Sequence, residues 1–219
     1  MGADRLIIAG MLRAVEDALM PLRCVFCGTR THAGTPYLCP GCDDDLPRIE
    51  SPPPAVSSPF VCERAPLAYQ FPVDAAIKAL KFRRRLFYVP AFTSLLCGES
   101  DHLPADIDAV VPVPLHWRRQ WVRGFNQALE IGKPVARHLN VPLLRNVVRR
   151  RATPSQSGLK ASERARNLRA AFAVRGSISC RHVLIVDDVI TTGVTLREVA
   201  RALKKAGAGK VSALAIARA

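Results

Sequence analysis

The chain is 219 residues long, 49% hydrophobic, with 32 Lys+Arg against 18 Asp+Glu and a formal net charge of +14. That length suits one medium domain with a small appendage, and the hydrophobic share provides for a core, which excludes a disordered chain. No apolar run reaches about 18 residues, which excludes a membrane-spanning helix, and the cysteine count of 7 is odd, which argues against a secreted disulfide framework.

Residues 1–20 are predicted to form a short amphipathic helix ended by Pro21. Arg13, Glu16 and Asp17 interrupt its apolar run and no small-residue cleavage site follows, so it does not read as a signal peptide. A soluble, cytoplasmic protein is expected. Residues 21–50 carry two CxxC pairs with turn-forming Gly and Pro between them, and 51–59, "SPPPAVSSP", read as a linker. Residues 60–219 alternate strand and helix. "APLAYQF" reads as a strand, and "VDAAIKALKF" as a helix with Val73, Ile77 and Leu80 on one face. "IDAVVPVPL" is a β-branched apolar run suited to a strand buried on both faces. "FNQALEIGKPVARHL" reads as a helix that Pro134 should kink or end. "HVLIVDDVI" is a second buried strand, "TLREVARALKKAGA" a helix stopped at Gly207, and "KVSALAIAR" a third strand. The alternation predicts an α/β fold with an open parallel sheet. Charge follows the same division. Residues 1–77 hold 6 basic and 9 acidic side chains, whereas 78–219 hold 26 and 9, a net of +17.

Cys24 with Cys27, and Cys39 with Cys42, have the spacing of two knuckles that aim four thiolates at one ion. Gly28 and Gly41 would permit the tight backbone, and a closed all-sulfur shell would make the metal structural; redox thiols are the alternative. Cys62, Cys97 and Cys180 stand alone and read as small hydrophobes.

The most informative stretch is "VLIVDDVITTGVT", Val183–Thr195. A buried strand ends in Asp187–Asp188, and a Thr/Gly turn then opens a helix. Ligand crevices of open α/β sheets lie at the carboxyl ends of strands, and a helix N-terminus favours phosphate. Two carboxylates beside it suit sugar hydroxyls or a magnesium ion carried with the substrate. Ribose plus phosphate is the chemistry these residues suggest.

This segment resembles the phosphoribosyl pyrophosphate (PRPP) signature of type I phosphoribosyltransferases. The resemblance implies that Asp187 and Asp188 hold the ribose hydroxyls while Thr191, Thr192, Gly193 and Thr195 wrap the 5′-phosphate. Purine-salvage members carry an Asp where this chain has Thr191, which makes hypoxanthine or guanine a poorer choice of acceptor. Adding "VPVPLHWRRQWVRGFNQA" (111–128), "RATPSQSGLKASERARNLRAAF" (151–172) and the four-cysteine front, nearly the whole chain is similar to the ComF family of competence-associated proteins. Many relatives have additional CxxC pairs; the shorter front here implies a single zinc ion.

By that resemblance the chain binds PRPP with Mg2+ and transfers phosphoribose to an unnamed acceptor. His116, Arg118 and Arg119 would form a pyrophosphate loop. Arg123, Arg164 and Arg166 would stabilise the leaving charge, with 149–169 as a loop closing over the substrate. The alternative is a non-catalytic protein that handles single-stranded DNA beside other DNA-uptake proteins at the membrane's cytoplasmic face, with the fold as scaffold or PRPP sensor. "KFRRRLFY" offers Lys81, Arg83, Arg84 and Arg85 to phosphates and Phe82, Phe87 and Tyr88 to bases. A helix end with a solvated basic face and core aromatics is the competing reading.

Overall fold

The apolar runs near the C-terminus are the two inner strands of a parallel sheet, and the rest of the larger unit is packed around them. The computed structural model describes residues 22–32, 34–51, 54, 58–149 and 171–219. The chain divides into two units, Met1–Leu46 and Pro47–Ala219. The helix expected over residues 1–20 and part of the 51–59 linker lie outside the described residues.

In the first unit the described helix is α1 (Pro40–Asp44), opened by proline, where the missing N–H costs nothing. Arg23 and Arg30 form an isolated antiparallel bridge.

The second unit contains β1 (Glu63–Arg64), β2 (Leu67–Ala68), α2 (Val73–Arg83), α3 (Tyr88–Cys97), β3 (Ala109–Pro112), α4 (Trp117–Arg123), α5 (Gln127–His138), β4 (Val147–Arg149), β5 (Phe172–Val174), β6 (His182–Ile190), α6 (Val194–Lys205) and β7 (Lys210–Arg218). Residues 47–51 join this unit: Ala68 N–H donates to the Pro47 carbonyl at 2.8 Å, and Ile49 N–H to that of Pro66 at 2.9 Å. The sheet order is β1-β7-β6-β3, with β2 also on β7, and every pairing is parallel. β4 and β5 form a separate antiparallel pair.

Successive strand residues face opposite sides, so β6 and β7 bury both. Val183, Ile185, Val211 and Ala213 pack with Val199 and Leu203 of α6 and Phe172 of β5. On the other face, α5 touches β3, β6 and α3. Leu184 and Ile185 have zero exposure, and truncating such a side chain costs about 2–5 kcal/mol.

Two expectations are corrected. Helix α5 runs unbroken through Pro134, because burial of Ile131, Gly132, Val135 and Ala136 outweighs the lost hydrogen bond. The aromatics Phe82 and Phe87 are not core: they are 74% and 49% exposed. Among the described residues, no helix is long and apolar enough to cross a membrane.

Candidate functional site

The cysteine cluster is built by two local turns. Gly28 N–H donates to the Cys24 carbonyl at 2.9 Å, closing a knuckle in which Gly28 has φ +77°, a value that glycine reaches without strain. Cys39 caps α1 and Cys42 lies within it, so Gly41 is an ordinary helical residue and does not need that freedom. The four Sγ atoms lie within 4.8 Å of one another, Cys27 and Cys39 at 3.6 Å. The Thr29 hydroxyl and N–H lower the Cys27 thiol to about 6, whereas burial and the other three thiols push Cys42 up. Four soft donors at this separation fit a structural metal such as zinc.

The larger unit's site is set by strand length. β3 stops opposite Val186, while β6 continues along β7 as far as Ile190. Asp187 and Asp188 are therefore inside β6, not past its end, but they lie where the β3 edge has fallen away. Strand alternation sends them to opposite faces. Asp188 takes the α2 face, is 4% exposed, and its Oδ1 accepts from Lys81 Nζ at 2.7 Å. Its Oδ2 is buried with no hydrogen-bond partner among the described residues. Asp187 Oδ1 accepts the Asp188 N–H at 2.9 Å. Burial and the neighbouring Asp188 charge raise the Asp187 carboxyl to about 7, against the pull of Lys81 and Arg149.

Cations converge on this pair from three elements. Lys81 lies in the last turn of α2, Arg123 on α4 and Arg149 at the end of β4, with Arg119 of α4 close enough to act on Arg123 and Arg149. Arg123 Nη1 donates to Gln127 Oε1 at 2.8 Å, and its guanidinium lies 5.4 Å from the Phe82 ring. Burial lowers the Arg123 pKa while Asp188 opposes that shift. Arg149 is lowered to about 10, first by burial and then by Arg119, and Asp187 opposes it. Arg118 lies over the Trp117 ring at 5.2 Å. His116 is 4% exposed, and its Nδ1 accepts the Arg118 N–H at 3.3 Å, which caps α4. Burial and then three arginines lower its pKa, which favours the accepting Nδ1 that the cap needs.

At the far end of β6, Gly193 (φ +67°) turns the chain into α6, whose N-terminus has no side-chain cap. Thr191 and Thr192 are exposed, Thr195 is in the first turn, and Arg197 donates to the Thr192 carbonyl. Uncapped N–H groups at a helix start suit a phosphate.

Of the basic stretch 81–85, Lys81 turns inward to Asp188, while Arg83, Arg84 and Arg85 remain exposed. Sequence reasoning treated Lys81 as surface charge, and nothing local distinguishes it from its neighbours. Arg149 was grouped with the closing loop, yet it is a strand residue at the acidic pair. Arg164 and Arg166 lie outside the described residues.

A parallel sheet with an acidic pair on an inner strand and a glycine turn into a helix defines a protein of the type I phosphoribosyltransferase class. The phosphoribosyl transferase domain family matches residues 126–219, which hold α5, β4–β7 and α6. The chain is 36% identical over 160 residues to Competence protein F of Haemophilus influenzae, covering 69% of this chain and 70% of that one. It is 37% identical over 205 residues to the DNA utilization protein YhgH of Escherichia coli K12, with 89% and 83% covered. Identity to Competence protein ComFC of Bacillus subtilis is 29% over 157 residues, with 71% and 63% covered. The chain belongs to the ComF family of competence and DNA-utilization proteins.

Proposed function

We propose that the protein binds PRPP with Mg2+ at the carboxyl end of β6 and transfers its phosphoribosyl group to an acceptor. The observation that carries this reading is Asp188. A carboxylate oxygen that is buried and unpartnered costs about 1–3 kcal/mol, and such a cost is kept where a ligand removes it. Ribose hydroxyls are donors that Asp188 and Asp187 accept. The Thr191–Thr195 turn and the α6 N-terminus receive the 5′-phosphate.

During transfer the C1–oxygen bond to pyrophosphate breaks and its electron pair leaves with pyrophosphate. The acceptor's lone pair forms the new bond to C1. Magnesium carried with PRPP supplies neutralisation of the leaving group. Arg118, Arg119 and Arg123 of α4 add fixed positive charge beside it, and Arg164 and Arg166 belong to the segment that would exclude water. The cysteine module takes one structural zinc ion.

A 31P spectrum of PRPP with Mg2+ tests this reading. Saturable perturbation of the 5′-phosphate and pyrophosphate signals supports it. Unchanged signals at excess protein contradict it.

A second reading has its own observation. Phe82 and Trp121 are 74% and 84% exposed beside Arg83, Arg84 and Arg85, a surface suited to stacking bases and pairing phosphates of single-stranded DNA. The relatives' names in competence and DNA utilization agree with it, and with partners among DNA-uptake proteins. Binding of an oligothymidine that weakens steeply with salt, and is lost on replacing Arg83, Arg84 and Arg85 by alanine, supports this reading. Binding indifferent to both contradicts it.

A further inference from the structure

Beside the carboxyl end of the edge strand β3 lies a cavity of about 300 Å³. Its apolar wall is made by Pro112, Pro114, Leu115, Leu129 and Val147, with the indole of Trp117 at its mouth. Arg145, Arg149 and Arg175 also line it, and no aspartate or glutamate is among the described lining residues. Asn126 also borders it, but its side chain is committed: Nδ2 donates to the Val113 carbonyl at 3.0 Å and Oδ1 accepts the Ala128 N–H at 3.1 Å. Gln120 is a further, uncharged polar lining residue, so the charge of the described lining is cationic.

Three features select the ligand. The volume is at the lower end for small-molecule sites, which start at about 300 Å³, so it suits one ring system with its substituent and not a polymer strand. Prolines and an indole present flat apolar faces to such a ring. With Arg149 drawn toward Asp187, Arg145 and Arg175 are the guanidiniums that call for an anion, and planar guanidinium prefers carboxylate or phosphate.

We propose that this cavity binds a small heteroaromatic anion, a ring carrying a carboxylate or a phosphate. Arg145 and Arg175, on the two chain segments that flank β4 and β5, clamp the anionic group, and Trp117 covers the ring. Arg149 connects the cavity to the acidic pair, because its charge and that of Asp187 attract each other. A ligand held here would lie next to the sugar site. The inference does not rest on phosphoribosyl transfer, since the cavity and its charge stand without PRPP.

The test is titration of the full-length protein without PRPP, using pyridine-3-carboxylate, its uncharged amide, thymidine 5′-monophosphate and inorganic pyrophosphate. The chain has 2 tryptophans, so Trp121→Phe leaves Trp117 as the reporting fluorophore. Saturable quenching by the carboxylate, the monophosphate or both, with the amide at least about 10-fold weaker, is expected. Arg145→Ala/Arg175→Ala, at two exposed positions that leave the core intact, should weaken the anion about 10-fold or more. Leu129→Phe, which adds bulk to the cavity without adding a second tryptophan, should sharply weaken the quenching. No saturable binding of either ring anion at about 10 mM overturns the proposal. So does equal binding of the amide, indifference to the double arginine variant, or tighter binding of pyrophosphate than of either ring anion.

Discussion

Lys81 Nζ lies 2.7 Å from Asp188 Oδ1, joining the last turn of α2 to the acidic pair of β6 in an ion pair largely withdrawn from water. The lysine satisfies one oxygen of a carboxylate that has little water, and leaves the other open. Breaking a buried pair from one side strands the remaining charge, so Lys81→Met should destabilise the ligand-free protein by about 2 kcal/mol. Lys81→Met/Asp188→Asn should recover much of that loss. Urea unfolding of the wild type, Lys81→Met, Asp188→Asn and the double variant, read as a double-mutant cycle, measures the coupling; a cycle that closes to zero contradicts the pairing.

The Asp187 carboxyl, raised to about 7, makes stability pH-dependent with a definite sign. Between the ordinary carboxylate range and 7 the folded state binds a proton that the unfolded chain has lost. Stability therefore falls as pH rises through that window. Thermal unfolding of the ligand-free protein at pH 5, 6, 7 and 8 should show a declining midpoint, with a change of at least about 1 kcal/mol. Asp187→Asn should flatten this component. Binding of a cation-bearing ligand has the opposite slope, since it requires the ionised carboxyl, so affinity for Mg2+ with PRPP should rise from pH 6 to 8.

How much of this was legible depends on what each residue packs against. β6, β7 and α6 were readable because their buried positions are apolar apart from His182, Asp188, Glu198 and Ser212, and Gly193 and Gly207 mark the turns. Helix α4 was read as loop for a physical reason: "WRRQWVR" buries none of its residues, so it has no apolar stripe. It is held instead by the His116 cap and the stop at Gly124, φ +82°. The acidic pair was identified from sequence, but its partners were not. Lys81 and Arg149 reach it through tertiary packing, which no local pattern encodes.

A side chain at Gly193 should carry a cost. Its φ of +67° disfavours any L-residue by about 1 kcal/mol or more, and a Cβ there would come 2.9 Å from Arg197 Nη1. Gly193→Ala should lower thermal stability modestly and weaken binding of PRPP about 10-fold or more by misplacing the N–H groups at the start of α6. An unchanged affinity would separate this turn from the phosphate.

Cys24, Cys27, Cys39 and Cys42 should hold one zinc ion per chain, measured by elemental analysis of the purified protein. Cys27→Ser should reduce the content sharply. Loading the stripped protein should release protons, most of all from Cys42, whose thiol burial holds protonated. Retention of full zinc after Cys27→Ser would contradict a four-sulfur site.

The central claim is a working ribose-phosphate site at Asp187 and Asp188, and calorimetric titration of PRPP with Mg2+ into the zinc-loaded protein tests it most directly. Saturable binding that disappears in Asp187→Ala/Asp188→Ala, with the variant still folded by circular dichroism, is the result predicted. Absence of heat at millimolar PRPP, or binding that survives loss of both carboxylates, would contradict it.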